Sequence, residues 1–130
     1  VTTIQQIDGV DWGDPPLDSS TLVRRCTALR RKSLDRFTAE DLRIMLGQRE
    51  AVAVLLPLAI DMLVDNPLAE GDFYPGDLLM TVLRLPSSTW IRLQEERKRL
   101  TAAVATVDLD RADLPPEVLD TVAVAKQNPV

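Results

Sequence analysis

An all-α fold, a compact single-domain bundle of about five to seven helices, is what this sequence predicts, and three observations predict it. Apolar residues make up 45 % of the 130 residues but aromatics only 4 %, so a core must be built from Leu, Val, Ile, Ala and Met. Glycine is scarce, with five residues, and the β-branched residues do not alternate with polar ones over any long stretch, which disfavours sheet. The apolar residues instead recur three and four apart, between recognisable helix start and stop signals.

Each element follows from those signals. Residues 1–17 hold turn signals at Asp8-Gly9, Gly13-Asp14 and Pro15-Pro16, and are expected to form an arm or loop anchored by Ile4, Ile7 and Trp12. Ser19 is a good N-cap for a first helix, with Leu22, Val23, Cys26 and Leu29 on its apolar side. The basic run Arg30-Arg31-Lys32 closes that helix, where cations complement the dipole. Thr38 caps the next helix, with Asp41 three residues on as a capping-box variant and Phe37 as a staple to Leu42. That helix is expected to end near Gly47. A third helical run covers about 49–65, with a kink or break at Pro57 and a stop at Asn66-Pro67.

Leu68 to Tyr74 reads as a loop, and Pro75 as the first position of a new helix with Asp77 in its first turn. Leu78, Leu79, Val82 and Leu83 form its buried side, and Pro86 ends it. Ser87 or Ser88 is expected to cap a longer helix to about Val107, with Trp90, Ile91, Leu100, Ala103, Val104 and Val107 inward. A last helix starts near Pro115 and buries Val118, Leu119 and Val122, and the tail at 126–130 is expected to fray.

Composition also bounds the chemistry. There is one cysteine, Cys26, and no histidine, so an internal disulfide and the Cys/His zinc patterns are excluded. Cys26 has no histidine to activate it and reads as a small core residue. Glu70-x-Asp72 and Asp77 lack the alternating ligands and distal Glu of a calcium loop, and no glycine-rich phosphate loop occurs. No metal, no cofactor and no catalytic constellation are expected, so the chain reads as a non-enzyme. The stretch 51–64 is too short to span a bilayer and holds Pro57 and Asp61. With no secretory signal in residues 1–15, the expected location is cytoplasmic.

The net charge of −5 is segregated along the chain. Residues 1–18 hold four acids and no base, whereas residues 24–49 hold eight bases and three acids. Residues 50–83 hold six acids and no base: Glu50, Asp61, Asp65, Glu70, Asp72 and Asp77. Helices of opposite sign can neutralise one another through exposed pairs. A carboxylate cluster without local counter-charge also sets up a field that steers a basic partner and repels phosphates. Asp61 and Asp65, four apart on one helix face, are either solvated or matched by cations from the 24–49 block or from a partner.

Three stretches carry more than generic pattern: Phe37 to Gln48 (FTAEDLRIMLGQ), Leu55 to Ala59 (LLPLA) and Asn66 to Leu79 (NPLAEGDFYPGDLL). Asp11-Trp12-Gly13 and Leu29 to Leu34 fit the same pattern. Over about residues 8–90 the chain resembles a family of immunity proteins from contact-dependent growth inhibition (CDI) systems, although Ala51-Val52 stands where that pattern has Gly-Leu. The resemblance implies a cytosolic protein that binds the C-terminal toxin domain of a CDI effector, often a nuclease and commonly basic, and neutralises it stoichiometrically. Gly47, Gln48, Gly71, Tyr74, Pro75 and Gly76 lie in the family pattern and read as structural positions. Asp61, Asp65, Glu70, Asp72 and Asp77, expected to be exposed, are the candidate toxin-contact residues. The competing expectation is a small nucleic-acid-binding regulator, in which the Arg-rich block and two helices split at Gly47-Gln48 mimic a helix-turn-helix.

Overall fold

The computed structural model describes residues 2–111 and 113–128, and among them it contains helices and no strand. Seven α-helices follow one another: α1 (Ile4–Asp8), α2 (Thr21–Arg30), α3 (Ala39–Gly47), α4 (Val52–Asp65), α5 (Asp77–Leu83), α6 (Gln94–Ala105) and α7 (Pro116–Gln127). Two 3-10 segments, Leu34–Arg36 and Ser87–Arg92, connect them. The all-α expectation holds, and the helix count lies at its upper end.

The centre of the core is α4, which packs against α3, α5 and α6. It contributes Leu55, Leu56, Ala59, Ile60 and Leu63, all buried. Against them lie Leu42, Met45 and Leu46 of α3, Leu78, Leu79, Met80 and Val82 of α5, and Leu100 and Val104 of α6. Buried aliphatic side chains of this kind each contribute about 1.5–3 kcal/mol relative to exposure, so this four-helix contact is the main source of stability. No helix is long and apolar enough to cross a membrane among the described residues.

The start signals around α3 act as expected. Thr38 Oγ1 accepts the Asp41 N–H at 3.1 Å, and Asp41 Oδ2 accepts the Thr38 N–H at 3.0 Å, closing the capping box. Helix α3 ends at Gly47, and the Gln48 N–H bonds back to the Ile44 carbonyl. Pro57 does not break α4. The helix residue whose carbonyl loses its donor is Ala53, which is exposed, so water can replace the missing partner.

Other expectations are corrected. The N-terminal arm contains α1, fixed by a second capping box in which Thr3 and Gln6 bond reciprocally and by Gly9 in a left-handed C-cap. Ile4 is fully buried, but Ile7 and Trp12 are largely exposed. The arm is held by Ile4, as expected, and by Arg30, which is buried, bonds Asp8 at 2.6 Å and the Val10 carbonyl at 2.9 Å, and lies under the Trp12 ring. Helix α2 is capped by Ser20 rather than Ser19, and Leu22 and Val23 lie outside the core while Cys26 and Leu29 lie within it.

Pro75 sits in a turn, because Gly76 adopts φ 90° and α5 can begin only at Asp77. The long helix expected after Pro86 is split: Leu93 takes φ −128° and ψ 48°, outside helical geometry, and separates the 3-10 segment from α6. Ile91 on that segment is exposed, unlike Trp90. The expected fraying after Ala125 is not seen up to Asn128, because Lys126 Nζ bonds the Val107 carbonyl at 2.5 Å and α7 continues to Gln127. Pro129 and Val130 lie outside the described residues.

The turn from α3 to α4 forces two non-glycine residues into the left-handed region, Arg49 at φ 56° and Ala51 at φ 50°. Ala51 stands where the resemblance leads one to expect glycine, and its left-handed backbone is a conformation that only glycine adopts without steric cost. The Ala51→Gly variant is expected to unfold with a free energy about 0.5–1 kcal/mol higher than the parent. Urea denaturation of the two proteins side by side checks this; a less stable variant would show that the turn carries no strain.

Candidate functional site

The two most distinctive stretches of the sequence meet in space. Residues 70–76, between α4 and α5, have no regular structure, and their backbone is caught by side chains from α3 and α5. Asp77, only 3 % exposed, accepts the Gly71 N–H through Oδ1 at 2.7 Å and the Phe73 N–H through Oδ2 at 3.1 Å. Glu40 Oε1 accepts the Asp72 N–H at 3.0 Å, across 32 residues of chain. Arg43 balances this buried negative charge: Nε and Nη2 each donate to Glu40 at 2.6 Å, and the guanidinium lies 4.0 Å from Asp77. The same guanidinium stacks under the Phe73 ring, 4.4 Å from its centroid.

Local sequence explains the arrangement. Glu40 and Arg43 are three apart on α3 and so share a face, and Asp77 stands in the first turn of α5, where a carboxylate suits the helix dipole. Gly71 leaves room for both carboxylates, since a Cβ there would sit 2.5 Å from Glu40 Oε1 and 3.0 Å from Asp77 Oδ2. Gly76 needs its left-handed φ, and a Cβ there would press on Val118 of α7 at 3.2 Å. Tyr74 is half-buried and its carbonyl accepts the Asp77 N–H at 3.1 Å. Gly47 and Gln48 are exposed at the end of α3, away from this clamp in the chain.

The candidate contact acids have different fates. Asp77 is buried and spends both oxygens on the loop, so it does not present charge at the surface as expected. Asp61 on α4 pairs with Arg99 of α6 at 2.7 Å, an exposed bridge, and the cation comes from neither the 24–49 block nor a partner. Asp65, Glu70 and Asp72 have exposed side chains. The four acids of the N-terminal block are partly neutralised by the bases that follow: Asp8 by Arg30, and Asp11 and Asp14 by Arg31. Lys32 pairs with Asp41 at 2.5 Å. The bases of the Arg30-Arg31-Lys32 run therefore tie elements together rather than merely complementing the end of α2.

Glu40, Arg43 and Phe73 are the residues sequence reasoning did not single out. Glu40–Arg43 is visible as a helical ion-pair spacing, but its reach to the loop is tertiary.

Arg43 bonding, with help from the Asp72 N–H and against the effect of burial, holds the Glu40 carboxyl below its ordinary pKa of 4.5. A carboxyl lowered in the fold contributes stability that is complete above its unfolded pKa and lost as pH falls through the folded one. Glu40→Gln is expected to lower the unfolding free energy by about 2 kcal/mol near neutral pH. It is also expected to flatten the further loss of stability below pH 4.5 relative to the parent. Denaturation curves across the acid range measure both effects; parallel pH profiles would remove Glu40 from the linkage.

Cys26 is a buried core residue whose thiol pKa is raised by burial, with Glu50 adding to the effect. A model of the family of CDI immunity proteins matches residues 6–100, which takes in the whole clamp and every helix from α2 to α5. No curated protein matches the chain. With nearly three quarters of its length matched, and with both distinctive stretches inside the match and joined in one clamp, the chain belongs to the family of CDI immunity proteins, whose general role is neutralisation.

Proposed function

We propose that the protein binds the C-terminal toxin domain of a CDI effector, a basic nuclease, and neutralises it by stoichiometric occlusion in the bacterial cytoplasm. The observation that carries this reading is the exposed acidic charge of one stretch of the chain. Asp65, Glu70 and Asp72 remain exposed in a region without bases from residue 50 to 83, on a chain of an immunity family. Such a field accelerates encounter with a cationic partner. An interface of roughly 1,600 Å² is enough for a stable complex of this kind. No covalent step is needed, because covering the toxin's substrate groove is sufficient for neutralisation.

The nucleic-acid alternative finds less support. Helix α4, the would-be recognition helix, spends its apolar residues on the core and shows Asp61 and Asp65 on its exposed side, which phosphate would repel. Of the bases in the 24–49 block, Arg30, Arg31, Lys32 and Arg43 bond carboxylates, and Arg24 bonds the Ser19 and Pro16 carbonyls.

Co-expression with the toxin domain encoded beside this chain tests the function. Restored growth and a one-to-one complex are expected, and unrelieved toxicity with no complex would reject the reading. Within that complex, the double charge reversal Glu70→Lys with Asp72→Lys is expected to slow association about tenfold at low salt, with the difference shrinking as salt rises. Stopped-flow association rates at several salt concentrations give the comparison.

A further inference from the structure

We propose that Phe73 is the aromatic anchor of the neutralising interface, held in place by Arg43, and that it fills a crevice of the toxin domain rimmed by Arg or Lys; this rests on the toxin-binding reading above. Phe73 is 67 % exposed, one of only two phenylalanines in the chain, whereas Phe37 is buried. A large apolar ring at a loop apex adds nothing to the core. Yet its position is specified in full. Its N–H is bonded to Asp77, the preceding N–H to Glu40, and one ring face rests on the Arg43 guanidinium at 4.4 Å. Arg43 in turn is fixed by two bonds to Glu40.

A loop is thus ordered by three carboxylate–amide bonds and a cation–π contact, and what it displays is one aromatic side chain. Ordering the ring beforehand removes much of the entropic cost of immobilising it on binding. Aromatic side chains, phenylalanine among them, are enriched at protein interfaces, and two thirds of this residue's surface is open to a partner.

The charge around the ring selects the chemistry of that partner. Glu70 and Asp72 flank Phe73 in the loop with exposed carboxylates, so an apolar crevice with a cationic rim satisfies both the ring and its border. The other prominent exposed apolar side chains differ in setting. Trp12, the other exposed aromatic stacked on a buried arginine, is less exposed at 42 %, and its neighbours Asp11 and Asp14 are paired with Arg31. Ile91 stands next to Arg92, and Leu17 lies in the N-terminal segment and is 97 % exposed with no aromatic ring. Arg43 acts as a positioning residue, since its guanidinium is the platform for the ring and is spent on Glu40, with its side chain only 23 % exposed.

Titration calorimetry with the adjacent toxin domain tests the assignment, with each variant's melting curve recorded to establish that it is folded. Phe73→Ala is expected to weaken binding about 30-fold, mainly through faster dissociation, and Phe73→Tyr to retain most of the affinity. Arg43→Gln is expected to weaken binding about tenfold while speeding hydrogen exchange of the Gly71 and Phe73 amides, a signature that a remote loss of stability would not confine to this loop. Ile91→Ala is expected to bind like the parent. A tight parent complex whose Phe73→Ala variant binds within about twofold overturns this inference and leaves the function standing. A folded parent protein that forms no complex overturns the function itself and this inference with it.

Discussion

A loop without secondary structure has backbone N–H groups that must find acceptors, and in this molecule Glu40 and Asp77 provide them. Two carboxylates that close together in a poorly solvated site repel each other, and both would be costly without a counter-ion. Arg43 supplies it, and as an arginine it can do so with two parallel bonds to Glu40 while its flat face still carries a ring. The clamp needs α3 and α5 held side by side, and the aliphatic layer of Leu42, Met45, Leu46, Leu78, Leu79 and Val82 does that beneath it. The core therefore sets the distance at which the clamp works, and the clamp sets the conformation of the loop.

Charge follows the same division between inside and outside. Acids and bases that lie in separate blocks of sequence find one another in the fold, Asp8 with Arg30 and Asp61 with Arg99, while Asp41 pairs with Lys32 inside the 24–49 block. The exposed bridges among these add little to stability. Their effect is to neutralise charge locally, whereas Glu70 and Asp72 in the loop keep exposed carboxylates. An acidic composition by itself would not produce that contrast.

Helices with end signals in the local sequence were legible. Thr38 with Asp41 fixed the start of α3, and Asn66-Pro67 the end of α4, because capping and proline geometry are decided within a few residues. Where a single backbone angle decided the matter, the pattern was not enough. Gly76 moved the start of α5 past Pro75, and Leu93 cut the expected long helix in two. Helix α1 carried a readable signal in Thr3 and Gln6, but five residues give too little apolar periodicity to compete with the turn residues around them. For the site, the sequence pattern located the loop and its acids. It could not separate Asp77 from Asp72, since burial depends on what α3 brings from 32 residues upstream. The role of Arg43 was hidden for the same reason.

Glu40 and Asp77 grip the loop by its main chain, and that choice has an evolutionary consequence. Every residue but proline bears the same amide N–H, so positions 70, 72 and 73 can be rewritten without unmaking the scaffold that presents them. Gly71 and Gly76 are barred from change, the first because its missing side chain is the space the carboxylates occupy and the second because its backbone is left-handed. A lineage pursued by diverging poisons can therefore re-letter the displayed residues one at a time and keep the same frame underneath.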